Sequence, residues 1–373
     1  MTRILIVGGG VGGLAAALAL HKAGAEPVVY EAHPRSDQDV GAFLTLASNG
    51  MLALAQFGAA GPVAEAGFPL TTMRVVGHDG AELASVPLGL HEEPLTRYRC
   101  LRRASLCAAL RAEVLRRGIA VRQGKRLVSA TEDSSQVTAV FGDGTSATGE
   151  LLIGADGIDS TVRSLIDPSA APPRYAGQRV CYGYTTEAVR GAAAESIEMI
   201  RGSAVAFGHA VSPGGETYWF ARVTGPAGED ETPARLRAWL VPLLRPDATP
   251  AADIVAATGE RLMVTNACDL PEVARWRTAR MLLVGDAAHA ASPATGQGAS
   301  MALEDAVILA KALRDAPSTA FETYERLRRP RVELNVANSA RLTAGGAPRR
   351  SPGAPAGIPP EELARQLDWA GPL

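Results

Sequence analysis

Apolar positions along the chain follow two rhythms: short unbroken runs, and longer stretches that recur every three to four residues. Ile4-Leu5-Ile6-Val7, Leu151-Leu152-Ile153 and Met281-Leu282-Leu283-Val284 are unbroken runs, as expected of parallel strands buried on both faces. Behind the first, Leu14 to Ala23 holds strong helix formers, and Gly24 stands where a left-handed C-terminal cap belongs. Pro27-Val28-Val29-Tyr30 reads as the next strand and finishes on Glu31, so the chain opens with a βαβ unit. Leu106, Leu110 and Val114 share one face of a helix over 104–117, stopped by Gly118. Cys107 lies on the same face and is expected in the core.

The middle of the chain alternates instead. Residues 72–95 read as a hairpin turning at His78-Asp79-Gly80, and a second turn falls at Asp143-Gly144. Residues 171–276 are rich in strand-like segments, among them Val180 to Tyr184 and Tyr218 to Val223, with one helical stretch near 232–245. A Pro/Gly-rich stretch over 344–359 leads to a short helical tail. The expected organisation is a discontinuous nucleotide-binding domain (1–71, 96–170 and 277–343), a sheet domain (72–95 and 171–276) inserted between its parts, and a tail (344–373).

Five of the six residues from Gly8 to Gly13 are glycine. Gly8-x-Gly10-x-x-Gly13 between a strand and a helix is a dinucleotide fingerprint. Gly8 makes the turn, Gly10 admits a pyrophosphate to the helix N-terminus beside Val11, and Gly13 lets helix and strand pack closely. Glu31, closing the strand behind Tyr30, stands where a carboxylate accepts hydrogen bonds from a ribose, and its charge disfavours a 2'-phosphate. FAD or NAD therefore fits this site better than NADP.

Composition narrows the partners. With 37 Lys and Arg against 39 Asp and Glu, nothing attracts nucleic acid or an acidic membrane surface. The four cysteines and six histidines show no ligand-like spacing, so reduced thiols and no metal are expected. No apolar stretch reaches the roughly 20 residues a membrane helix needs, and no signal peptide is visible. A cytoplasmic protein, monomer or homodimer, is expected.

Two further motifs go beyond what an NAD dehydrogenase requires. Leu151 to Arg163 places Asp156-Gly157 after a buried strand, and Arg280 to Ala306 places Gly285-Asp286 after another. Open α/β sheets bind ligands at such strand ends, and a carboxylate like Asp286 can hold the hydroxyls of a polyol. Gly296-Gln297-Gly298 then opens a helix carrying Leu303, Val307 and Leu313. Its N-terminal dipole can stabilise negative charge by up to about 2 kcal/mol, as needed where a reduced flavin carries charge.

With these three motifs in order over residues 4 to about 330, the chain resembles the group A FAD-dependent monooxygenases of the p-hydroxybenzoate hydroxylase type. It is similar in particular to their short branch of salicylate and urate hydroxylases, tetracycline-inactivating monooxygenases and zeaxanthin epoxidase. The resemblance implies an α/β fold: a Rossmann-like FAD-binding domain with an inserted sheet-based substrate domain. It implies tightly but non-covalently bound FAD, NAD(P)H as transient reductant, and insertion of one oxygen atom through a flavin C4a-hydroperoxide. It carries cofactor roles to Gly8, Gly10, Val11, Gly13, Tyr30, Glu31, Arg103, Asp156, Asp286, Pro293, Gly296, Gln297, Gly298, Ala299 and Ser300. Two departures stand out. The cation some relatives place near 39–42 is missing, with Arg35 the nearest, and Ala294 follows Pro293 where urate hydroxylases carry an acid. The latter argues against urate.

The expected reaction is hydroxylation or epoxidation of an aromatic or polycyclic molecule, in secondary metabolism or antibiotic modification. The alternative is a flavin-dependent reductase on the same fold. No catalytic acid or base is assigned; Arg222, Tyr218 and His209 are pocket candidates, with Tyr218, Phe220 and Arg222 on one strand face. His289 is expected to be structural. Glu304-Asp305 reads as a solvated or dipole feature of a first turn, and Arg328-Arg329-Pro330-Arg331 as a surface charge run breaking a helix.

Overall fold

Three runs of apolar residues, far apart in sequence, have to be covered on both faces, and they meet in one sheet. The computed structural model describes residues 2–34, 42–89, 93–187, 193–229, 231–346 and 358–373. Arg35, the nearest cation to the missing one, lies outside them, as does most of the Pro/Gly-rich stretch. The five strands of the parallel sheet run in the order Met281–Leu283, Leu151–Gly154, Arg3–Val7, Glu26–Glu31 and Ala120–Gln123. Helix Val11–Lys22 packs against Gly298–Asp315 and covers this sheet with Arg103–Arg116. The chain leaves Arg3–Val7 toward Glu26–Glu31 on one side, and Leu151–Gly154 later joins on the other. The carboxyl end of Arg3–Val7 is thus a topological switch point, where such sheets open a crevice for ligand.

A seven-stranded sheet lies beside it, in the order Leu262–Asp269, Arg174–Thr185, Thr217–Thr224, Ala206–Val211, Ser196–Arg201, Thr72–Gly77 and Glu82–Pro87. The early hairpin joins by parallel pairing of Thr72–Gly77 with Ser196–Arg201. On one face this sheet buries Trp219, Phe207 and Cys181 under helices Pro233–Leu244 and Ala251–Ala256. The second of these helices goes beyond the single helical stretch expected there. The other face carries aromatic side chains toward a three-stranded sheet of Phe43–Leu46, Tyr98–Arg102 and Phe68–Leu70. Cys107 is only half-buried, against the edge of the larger core.

Two charge runs differ from expectation. Ala320–Thr343 is one continuous helix that passes through Pro330, so the proline does not end it. Arg328 within it is buried, as are Glu304 and Asp305 on Gly298–Asp315. These groups are not solvated, because each finds a counter-charge on the neighbouring helix. Arg328 Nη1 donates to Glu304 Oε2 at 2.6 Å and Nε to Asp305 Oδ1 at 2.7 Å. Arg331 and Asn49 complete the shell of Glu304. Tail helix Pro360–Leu367 buries Leu363 and Leu367, and Lys311 donates to the carbonyls of Gln366 and Asp368. Among the described residues no helix is long and apolar enough to cross a membrane, and no cluster of His, Cys, Asp and Glu could hold a metal.

Candidate active site

The glycine turn is built for contact. Gly8 has φ +109°, and a Cβ there would lie 2.2 Å from the Ala155 carbonyl oxygen. A Cβ at Gly13 would lie 1.9 Å from the Gly8 carbonyl oxygen, so only glycine lets the helix close on the strand. Gly10 differs: a Cβ there meets only Arg103 Nη2, at 3.8 Å. Its bareness serves open space in the cleft, not packing. Glu31 Oε2 accepts from Gly9 N–H at 2.6 Å and Oε1 from His33 N–H at 2.8 Å. Each oxygen keeps a lone pair for a hydroxyl.

The second turn braces the third. Asp156 accepts from Ser160 Oγ at 2.5 Å and Val162 N–H at 3.1 Å. Burial pushes its pKa up against the pull of those hydrogen bonds. Ser160 caps the helix Thr161–Ile166, and Arg163 on it donates to the carbonyls of Ala287 and Ile158. The motif thereby ties one strand end to the next, with Ala155 and Gly157 facing the cleft.

At the third turn Gly285 has φ +59° and caps the short helix Asp286–His289. Its N–H donates to Asp305 Oδ2 at 2.9 Å, which also bonds His289 Nε2 at 2.7 Å. Burial alone would push Asp305 up, but the His289 ring and Arg328 guanidinium outweigh it and hold the carboxyl below the usual carboxylate range. The paired acid thus fixes the turn that presents Asp286, whose own side chain is exposed in the cleft. Helix Gly298–Asp315 begins beside it. Ala302 approaches both Gly12 and Gly285 closely, so two helix N-termini sit side by side with their first N–H groups unsatisfied by the helices themselves.

One cleft of about 540 Å³ joins these parts. Gly10, Val11, Arg103, Asp286, Pro293, Gly296, Gly298 and Ala299 line it from below, and Phe43, Met73, Tyr182, Met199, Phe220 and Arg222 from the sheets above. Ala294 also faces it. Other anticipated residues stand behind the wall. Ser300 is buried and accepts from Ala47 N–H at 3.2 Å, and Gln297 Oε1 accepts from Asn49 at 3.2 Å. Tyr30 is buried and stacks on Phe141 at 4.7 Å.

Two pocket candidates need correction. His209 lies on the far face of the seven-stranded sheet with Phe207 and Trp219, because strand alternation turns it away from Phe220. Burial pushes its pKa down to about 4. Tyr218 does share a face with Phe220 and Arg222, but it packs behind Phe43 against Phe68 and Tyr184 and does not line the cleft. Sequence reasoning missed Phe43, Met73, Tyr182 and Met199, which come from four separate strands. Strand alternation was the signal for Met73, Tyr182 and Met199; the four-residue strand of Phe43 carried none.

These features define a dinucleotide-binding flavoprotein, and comparison agrees. Residues 1–339 match the family described as FAD binding domain, to which the chain belongs. Within it the chain is a member of the FAD-dependent monooxygenases. It is 31% identical to the aurachin C monooxygenase/isomerase of Stigmatella aurantiaca, over 91% of this chain and 88% of that one. It is 34% identical to the 3-amino-4-hydroxybenzoate 2-monooxygenase PtnB3 of Streptomyces platensis, over 88% and 85%. Among solved structures it superposes on Klebsiella pneumoniae HpxO complexed with FAD and uric acid, with a TM-score of 0.83 and 30% identity over 92% of this chain and 88% of that chain.

Proposed function

We propose that the chain oxygenates a planar aromatic or polycyclic molecule, using FAD and NAD(P)H, with the substrate held between the helix mouth and the aromatic face of the seven-stranded sheet. The observation that carries this reading is the single cleft, which runs from the three strand-end turns to Phe43, Tyr182 and Phe220. In this reading the five-stranded sheet and its helices form the cofactor-binding domain, and the seven-stranded sheet forms the substrate domain.

The residues fit FAD on the protein's own geometry. Gly10 leaves room where a Cβ would point into the cleft, and two helix N-termini face it. When bound, FAD takes a hydride from NAD(P)H and activates O2. Gly8, Gly10, Val11 and Gly13 form the pyrophosphate turn, with Arg103 above Gly10. Glu31 holds the adenosine ribose, Asp286 the ribityl hydroxyls, and Pro293, Gly296, Gly298 and Ala299 face the ring, with Gln297 and Ser300 bracing them from behind. Asp156 and Tyr30 act from behind, as supports. The helix starting at Gly298 favours negative charge on the reduced ring. Phe43, Met73, Met199 and Phe220 keep water from the reacting atoms and orient a flat substrate. Ala294 supplies no acid at the wall, so a substrate other than urate is expected. By name one relative is a monooxygenase of aurachin C and the other of an aminohydroxybenzoate; a setting in secondary metabolism or antibiotic modification is proposed here. Four free cysteines accord with work in the cytoplasm.

The test is simultaneous measurement of NAD(P)H oxidation, O2 uptake and product mass over a panel of aromatic and polycyclic compounds. A product gaining one oxygen with matched O2 uptake supports the reading. Substrate-dependent NAD(P)H oxidation without O2 uptake would replace it with a reductase.

A further inference from the structure

Among the described residues, the upper half of the cleft contains one formal charge with nothing to balance it. Arg222 lies on the strand Thr217–Thr224, opposite Val180 on one neighbour and Ala206 on the other. Its guanidinium rests 4.7 Å from the centre of the Phe220 ring, which fixes its direction by cation–π attraction. No carboxylate among the described residues lies within ion-pair distance of it. Three of the chain's other half-buried sheet arginines are matched, Arg102 with Glu216, Arg179 with Glu231 and Arg74 with Glu198, and a fourth, Arg99, donates to the Pro94 carbonyl. Among the described residues the one carboxylate on the cleft wall is Asp286, at the helix mouth rather than on this sheet. Burial lowers the pKa of Arg222, the mark of a cation short of solvation. The Tyr182 hydroxyl beside it does not compensate, since burial pushes that phenol up to about 12 and keeps it neutral.

A partly buried, unmatched guanidinium is costly in the empty site and gains most from an anion presented in the plane of its N–H fork. The sheet residues that line the cleft with it, Val180, Phe220, Met199, Met73 and Ile197, are apolar, so the anion has to arrive on an otherwise flat and greasy molecule. We propose that Arg222 is a specificity-determining residue that selects ring substrates bearing an ionised oxygen, either a carboxylate or the enolate or phenolate of an acidic hydroxyl. The assignment rests on reading the cleft as the substrate site. It also bears on reactivity: an enolate or phenolate held there keeps the ring electron-rich, the form that an electrophilic oxygen atom attacks.

The test uses FAD-loaded enzyme and matched probes: naphthoate against its methyl ester for a carboxylate, and hydroxycoumarin, ionised at neutral pH, against its methyl ether for an enolate. Binding is read from perturbation of the flavin absorbance, with wild type, Arg222→Met and Arg222→Lys in parallel. Met keeps the stem volume, and retained FAD confirms folding. Wild type is expected to bind at least one anion about ten- to a hundredfold tighter than its neutral partner, the range of a charge-assisted hydrogen bond. Arg222→Met abolishes that preference, Arg222→Lys restores part of it, and the KM for NAD(P)H stays unchanged in both. Which pair shows the preference tells carboxylate from enolate. Equal binding of anion and neutral form in wild type, or a preference surviving in Arg222→Met, overturns the role of Arg222 alone. A change confined to the KM for NAD(P)H overturns it as well, in favour of a contact with the reductant. Failure of every probe to bind FAD-loaded enzyme overturns the cleft reading and this assignment together.

Discussion

Arg328→Met is the perturbation that best tests how the helix mouth is held. Arg328 is 1% exposed and bonds two carboxylates that are wholly buried. Replacing it removes about half of the charge that faces them. Glu304 keeps Arg331 and Asn49, while among the described residues Asp305 keeps His289 and the Gly285 N–H. Breaking a buried pair by deleting one partner costs about 3–5 kcal/mol, and the hydrogen bond to the Met301 carbonyl is lost too. With a urea m-value of about 3 kcal/mol per molar, the midpoint of the FAD-loaded enzyme should fall by roughly 1 M or more.

The pH dependence gives the sharper check on the same variant. In wild type the folded pKa of Asp305 is depressed, so its contribution is present above the unfolded value of about 3.9 and is lost only as pH falls through the folded value. Without Arg328, burial dominates and raises the folded pKa. The penalty is then full at high pH and shrinks as the carboxyl takes up a proton. The stability gap between wild type and variant should narrow from about pH 8 to about pH 5, and Arg328→Met/Asp305→Asn should recover part of the loss. A cost below about 1 kcal/mol, or a gap that does not change with pH, would refute the reasoning that these charges form one buried network.

The two glycine types should separate cleanly. Gly13→Ala, with its Cβ 1.9 Å from a backbone oxygen, should fail to give folded protein. Gly10→Ala should fold normally and weaken FAD binding at least about tenfold in a fluorescence-quenching titration. Asp286→Asn should leave the apo-protein's unfolding free energy in urea within about 0.5 kcal/mol yet reduce FAD retention on gel filtration. His209, held near 4 by burial, stays neutral in the fold while the unfolded chain takes up a proton below about 6.5. Wild type should therefore lose up to about 1.4 kcal/mol per pH unit from this group between those values. His209→Gln should flatten that slope in urea titrations at stepped pH and leave the pH profile of turnover unchanged, since the ring faces away from the cleft.

What could be read from the sequence, and what could not, divides along a physical line. Backbone-determined parts were legible: unbroken apolar runs gave the central strands, and the glycines beside them marked where chain must approach chain, as at Gly13 and Gly8. The segment 42–70 was not, because its two short strands and two short helices lack enough periods to show a rhythm. Its strand Phe43–Leu46 supplies Phe43 to the cleft all the same. His209 was misplaced since alternation tells that neighbours on a strand face opposite ways but not which way is the cleft. The buried charges failed for another reason. A charged residue reads as solvated unless its partner is known, and Arg328 is bonded to acids more than 20 residues away on another helix. A clue was nevertheless present. From Gly298 to Ala312 the helix is apolar on every side except at Ser300, Glu304, Asp305 and Lys311, and a helix apolar all round is a buried one. Charges inside such a stretch have to be buried with it, so each requires a counter-charge or a carbonyl, and the Arg-rich helix that follows was the available source.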